Sequence, residues 1–164
     1  MLDKIRNFLM TKYTTNRFNW RMLREQRKLA RHLKSLIKKL GYNNEDLYGG
    51  CVIVSCWIIS RAIDDQEYID NFFEFYLKVN FLPDNKEAPV HLSEAFQYCE
   101  PYFKQWTKNP ATGHRLAEAI LHVITGDGSE KKYGDTECML VFEFFAERFK
   151  TLLETSHSLR KRIK

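Results

Sequence analysis

Four carboxylates stand in matching places along this 164-residue chain: Asp64 and Glu67 in the stretch DDQEYID, and Asp127 and Glu130 in GDGSE. Calcium takes about six to eight oxygen ligands and magnesium about six, so such acids, with turn carbonyls, could hold a divalent cation, Ca or Mg. An EF-hand is excluded for the second turn. Counting from Asp127 puts Lys131 at position five and Cys138 at position twelve. A metal site would therefore be open, or shared between the two turns. The plainer reading is that these acids cap helices and solvate turns.

A second set is cationic. Arg21, Arg24, Lys28, Arg31 and Lys38 follow one another at intervals of three, four, three and seven, which keeps them on one side of a helix. Such a face can reach successive phosphates of a nucleic acid, with an affinity that falls steeply as salt rises. Tyr13, Phe18 and Trp20 lie near its start and could stack on bases or pack inward. The same face could instead lie on an anionic membrane surface. It could also simply neutralise the acidic part of its own chain or of a protein partner.

Composition says what must position these groups. Hydrophobic residues make up 44% of the chain, with only seven Gly and four Pro, a balance that favours one helical domain with an ample core. Cys51, Cys56, Cys99 and Cys138 form no CxxC pair or zinc-ligand spacing, and are expected to be reduced residues of a cytoplasmic protein. No apolar run reaches the roughly 20 residues of a membrane span, and the start MLDKIRNFLMTKY is too interrupted for a signal peptide. The net charge of +5 is unevenly spread. Residues 1–39 carry twelve Lys or Arg against two acids, residues 40–158 ten against nineteen, and the tail LRKRIK adds four cations.

In chain order, Leu2, Ile5, Phe8 and Leu9 suggest a short amphipathic helix, and Thr14-Thr15-Asn16 a capped break after it. Arg17 to Leu40 reads as one long helix with Leu29, Leu33, Leu36, Ile37 and Leu40 as its apolar stripe, ended by Gly41. The run CVIVSCWIIS has the composition of a strand, but the cap at Asn43-Asn44-Glu45-Asp46 and the length of the apolar stretch favour a buried helix. Gly49 and Gly50 would then let a neighbouring helix come close. A helix through Ile69, Phe72, Phe73, Tyr76 and Leu77 follows, and then a loop, FLPDNKEAPV. Ser93 is the expected cap of a helix broken or kinked at Pro101. Asn109-Pro110 should launch a helix ending at Gly126, and Asp135 should cap the last, from Thr136 to about His157.

Two apolar helices that each run into an acidic turn, the second reading LAEAILHVITGDGSEKKYGDTECMLVFEFF, suggest an internal duplication. From about Tyr48 to Phe149 the pattern resembles the TerB-like domain, the helical module of tellurite-resistance TerB proteins and of some DnaJ-like proteins. The resemblance implies an all-helical, non-enzymatic domain with metal-binding acidic turns and protein partners near the membrane. Asp64, Glu67, Asp127 and Glu130 match its acidic positions. The first turn departs by having Asp65 where the pattern has Gly, the second by inserting Lys131-Lys132, and the basic helix has no counterpart.

Catalytic patterns are sparse. Arg115 and His122, seven apart, have a spacing similar to the Arg-x(4-6)-His pattern of HEPN ribonucleases, which implies proton and phosphate chemistry for the pair. Leu116 stands where that family usually has a polar residue. Glu154-x-x-His157 is half of a di-iron carboxylate pattern whose second half is absent. There is neither a nucleophile elbow nor a phosphate-binding glycine loop.

The sequence thus implies an all-α single domain over residues 1–164, a bundle of six or seven helices. It comprises a basic arm and long helix to residue 40, an acidic helical body over 41–158 and a basic tail over 159–164. The expected function is a non-enzymatic interaction protein of the TerB-like kind that docks to a protein partner. The alternatives are a small nucleic-acid-binding protein and a HEPN-like ribonuclease.

Overall fold

A computed structural model describes the chain over residues 2–81, 87–126 and 133–162, with side chains described at Lys4 and over 12–81, 90–126 and 133–162. Asp127 and Glu130 lie outside the described residues. Among the described residues six helices make an all-α bundle: α1 (Leu2–Lys39), α2 (Leu47–Ile63), α3 (Gln66–Asn80), α4 (Glu87–Lys108), α5 (Gly113–Thr125) and α6 (Asp135–Lys161). A 3-10 turn, Pro110–Thr112, precedes α5. There is no strand among the described residues.

The bundle is arranged around α2, which packs against α1, α4, α5 and α6. Its run from Val54 to Ile63 is buried apart from Arg61. A helix covered on nearly every side loses the 3.6-residue alternation that would reveal it, which is why CVIVSCWIIS resembles a strand in composition and is a helix in fact. Trp57 lies at its centre. The indole stacks on Phe145 and meets Phe103 edge to face, at ring-centroid distances of 5.9 and 5.7 Å. Its Nε1–H donates to Glu100, whose other oxygen accepts from Arg61.

Of the paired glycines, Gly50 alone has the expected role. A Cβ there would sit 2.6 Å from the backbone of Ile124 on α5, whereas one on Gly49 would meet nothing within 4 Å. Backbone cannot swing aside as a side-chain tip can, so Gly50→Ala must separate α2 from α5. The expected loss is about 1–3 kcal/mol or more, with Gly49→Ala as the near-neutral comparison, measured by chemical denaturation.

α1 differs from expectation at its start. It runs without a break through Thr14, Thr15 and Asn16. None of the three is Gly or Pro, and each lowers helix propensity by only a few tenths of a kcal/mol, too little to interrupt a helix held by packing further along. Phe18, Met22, Leu29, Leu33 and Ile37 form its buried stripe, with Leu36 and Leu40 half-buried beside it. Gln26 falls inside the stripe and is satisfied by Ser55 at 2.8 Å. The helix ends as a Schellman motif, in which the Tyr42 and Gly41 amides donate to the Ile37 and Lys38 carbonyls and Gly41 takes φ 96°.

α4 begins at Glu87, so Ser93 lies inside it and caps nothing, and the helix continues through Pro101. Pro89 falls in its first turn, where no amide donor is needed. Asn109 caps the 3-10 turn as expected, accepting from the Ala111 amide at 3.1 Å. At the last helix Gly134, not Asp135, occupies the cap position. Glu137 reaches back to accept from the Gly134 amide and also from the Tyr42 hydroxyl.

The two helix pairs share one detail. Asp64 and Gly126 close α2 and α5 in the same left-handed conformation, at φ 51° and 66°. This sets Asp64 over Gly126 and not over Asp127, a shift of one from the expected alignment, because the left-handed C-cap favours Gly and next Asn or Asp. The pairs then diverge. α5 packs along α6, while α3 turns away from α2 to lie on α1.

Candidate functional site: a cationic trough between α1 and α6

The middle of α1, from Arg17 to His32, and the C-terminal half of α6 run side by side in opposite directions, and a trough lies between them. Its first recess, about 680 Å³, is lined from α1 by Arg17, Trp20, Arg21 and Arg24, and from α6 and its C-cap by Thr151, Glu154, Thr155, Ser158 and Arg162. A second, about 500 Å³, shares Thr151 and is lined by Lys28, Arg31, His32 and Arg148 among others. Beyond the α6 wall, a third recess between α1 and α2 shares Arg31 and continues along Lys34 and Lys38 to Tyr48. From Arg17 to His32 the trough between the two helices follows α1 for roughly 22 Å at the helical rise of about 1.5 Å per residue.

Both walls are helical stripes. On α1, Arg17, Arg21, Arg24, Lys28 and Arg31 follow at intervals of four, three, four and three; on α6, Arg148, Thr151, Thr155, Ser158 and Arg162 at three, four, three and four. Packing one stripe beside the other places guanidinium groups opposite hydroxyls and further guanidinium groups. All five cations named from the sequence, Arg21, Arg24, Lys28, Arg31 and Lys38, are exposed along this line. Two acids interrupt the trough. Glu25 is occupied by Arg21 at 3.3 Å and Lys28 at 3.8 Å, and Glu154 stands on the α6 wall. The Arg148 Nε–H is shielded from solvent and has no acceptor among the described residues, while its guanidinium lies 5.6 Å from the Phe144 ring centroid.

The three aromatic residues near the start of the basic helix separate. Phe18 is buried against Tyr68, whereas Tyr13 and Trp20 stay exposed. Trp20 is 46% exposed, braced edge to face by Phe75 of α3 at 5.0 Å, and opens into the first recess.

The acidic turns are placed differently. Asp64 and Glu67 are exposed, at the C-cap of α2 and in the first turn of α3. Asp65 between them caps α3 through the Tyr68 amide and pairs with Arg160 at 3.5 Å. No group of three or more His, Cys, Asp or Glu side chains suited to a metal ion occurs among the described residues. His122 stacks on Tyr98 at 4.7 Å, and Arg115 is exposed on the same helix. All four cysteines are buried free thiols; burial pushes Cys51, Cys56 and Cys99 up to about 12 and Cys138 to about 11. No described helix is long and apolar enough to cross a membrane.

The α6 wall was not anticipated from the sequence. Its signal was the 3-4-3-4 spacing of Arg148 to Arg162, which only becomes meaningful once α6 is known to lie beside α1. The chain matches no protein-family model, no curated protein and no solved structure. The TerB-like and HEPN-like resemblances accordingly rest on the sequence patterns alone.

Proposed function

We propose that this protein is a non-catalytic nucleic-acid-binding protein that holds a phosphate backbone in the α1–α6 trough. The observation that carries this reading is the pairing of two stripes, one of arginines and lysines and one of hydroxyls and arginines, along α1 from Arg17 to His32. Guanidinium groups bind phosphate oxygens in pairs, and hydroxyls supply further donors. A lipid surface is less well served. Membrane-surface helices insert an unpartnered apolar face, and the apolar stripe of α1 from Phe18 to Ile37 is spent on the core.

The test is a titration of the purified protein with labelled DNA and RNA oligonucleotides across a salt series. If about five phosphates are neutralised, single-strand affinity should fall roughly a hundredfold between 50 and 200 mM salt, following a logarithmic slope of about −0.7 per contact. Absence of binding at 50 mM would reject the proposal and leave the trough to an acidic protein segment.

A further inference from the structure

We infer that the occupant of the trough is single-stranded, and that Trp20 is the platform on which one of its bases stacks. The inference rests on the nucleic-acid reading and narrows it.

The geometry of α1 argues first. A major groove about 12 Å wide admits one helix of about 10–12 Å diameter, and a recognition helix must therefore project from its domain. α1 does not project. α2, α3 and α6 all pack against it, so its exposed cations lie in a half-open trough beside the α6 wall instead of crowning a free ridge. A duplex is too wide to seat between the two helices and would meet only the outer edge of the trough, whereas a single strand can lie along it.

The chemistry of the first recess argues second. Trp20 has Arg17 and Arg24 about one helical turn away in either direction and Arg21 beside it, and it shares the recess with Thr151, Thr155 and Ser158. Phe75 meets the indole edge to face at 5.0 Å and leaves Trp20 46% exposed, so part of the ring is braced and part is open to a base. An aromatic face flanked by cations is the arrangement that binds single strands, the ring taking a base and the cations the phosphates on either side. Duplex bases are already stacked on each other and cannot use it. The other two tryptophans are unsuited: Trp57 is buried and Trp106 packs among Phe103, Phe142, Phe145 and Phe149.

The experiment compares dT12, U12 and a 12-base-pair duplex by fluorescence anisotropy at low salt, with wild type, Trp20→Ala and Trp20→Phe, and follows intrinsic tryptophan emission. The expected results are single-strand binding at least tenfold tighter than duplex binding, and quenching of tryptophan emission that vanishes in Trp20→Phe. Trp20→Ala should weaken single-strand binding by roughly 5- to 150-fold while leaving duplex binding unchanged, and Trp20→Phe should restore most of the loss. The DNA and RNA arms tell which sugar is preferred. Duplex binding as tight as single-strand binding, or a Trp20→Ala effect equal on both or on neither, overturns this inference and leaves the nucleic-acid reading standing. No binding of any oligonucleotide overturns both.

Discussion

Changing Arg21, Arg24, Lys28 and Arg31 together to Glu is expected to weaken single-strand binding by at least roughly a thousandfold at about 0.1 M salt. Each phosphate contact on a single strand releases about 0.7 of a counterion, worth roughly 0.7 logarithmic units at that salt concentration. Four lost contacts account for nearly three units, and reversing the charge adds repulsion. The salt dependence should flatten in parallel, which distinguishes lost phosphate contacts from a damaged fold. Stability is expected to change little. All four side chains are exposed, and the pairs of Arg21 and Lys28 with Glu25 are surface pairs contributing a few tenths of a kcal/mol. Circular dichroism of the variant should retain the helical spectrum and the melting transition to within a few degrees. Retained affinity would remove the trough from the binding site altogether.

The largest effect on stability is expected from Trp57→Ala, at about 3–5 kcal/mol. The indole is 1% exposed at the point where α2, α4 and α6 meet, and its removal empties the space between Phe103 and Phe145. The rings around it are held in edge-to-face and stacked contacts that cannot all be kept if they collapse inward. Glu100 also loses one of its two donors and is left with Arg61. At about 2–4 °C per kcal/mol for a chain of this length, melting should fall by roughly 6–20 °C. A shift below 2 °C would mean that Trp57 is not the centre of the core. Trp57→Phe, which keeps an aromatic contact and removes only the donor and part of the volume, should cost markedly less.

The class of fold was legible because apolar spacing and caps act locally. The basic helix, its stripe and its glycine stop could be read from Arg17 to Gly41, as could the Asn109 cap and the end of α5 at Gly126. Errors fell where packing overrides local preference. Thr14-Thr15-Asn16 carries capping residues and is nonetheless helical, and Ser93 has the chemistry of a cap in the second turn of a helix already begun. Half the candidate site was legible for the same reason. The α1 cations show as a stripe by themselves, but Arg148, Thr151, Thr155, Ser158 and Arg162 declare a purpose only through the partner helix they face. Nothing local in the sequence specifies that α6 returns to α1.

That return has a consequence for when the site exists. Arg24 and Thr151, which line one recess, are separated by 127 positions in the chain. At about 5–20 residues per second, a ribosome makes the second wall roughly 6–25 s after the first. Through that interval the α1 cations lack their second wall, able to attract a polyanion but unable to enclose a strand. On the proposed reading, selectivity therefore arrives later than charge, and belongs to the finished tertiary structure, not to the basic helix.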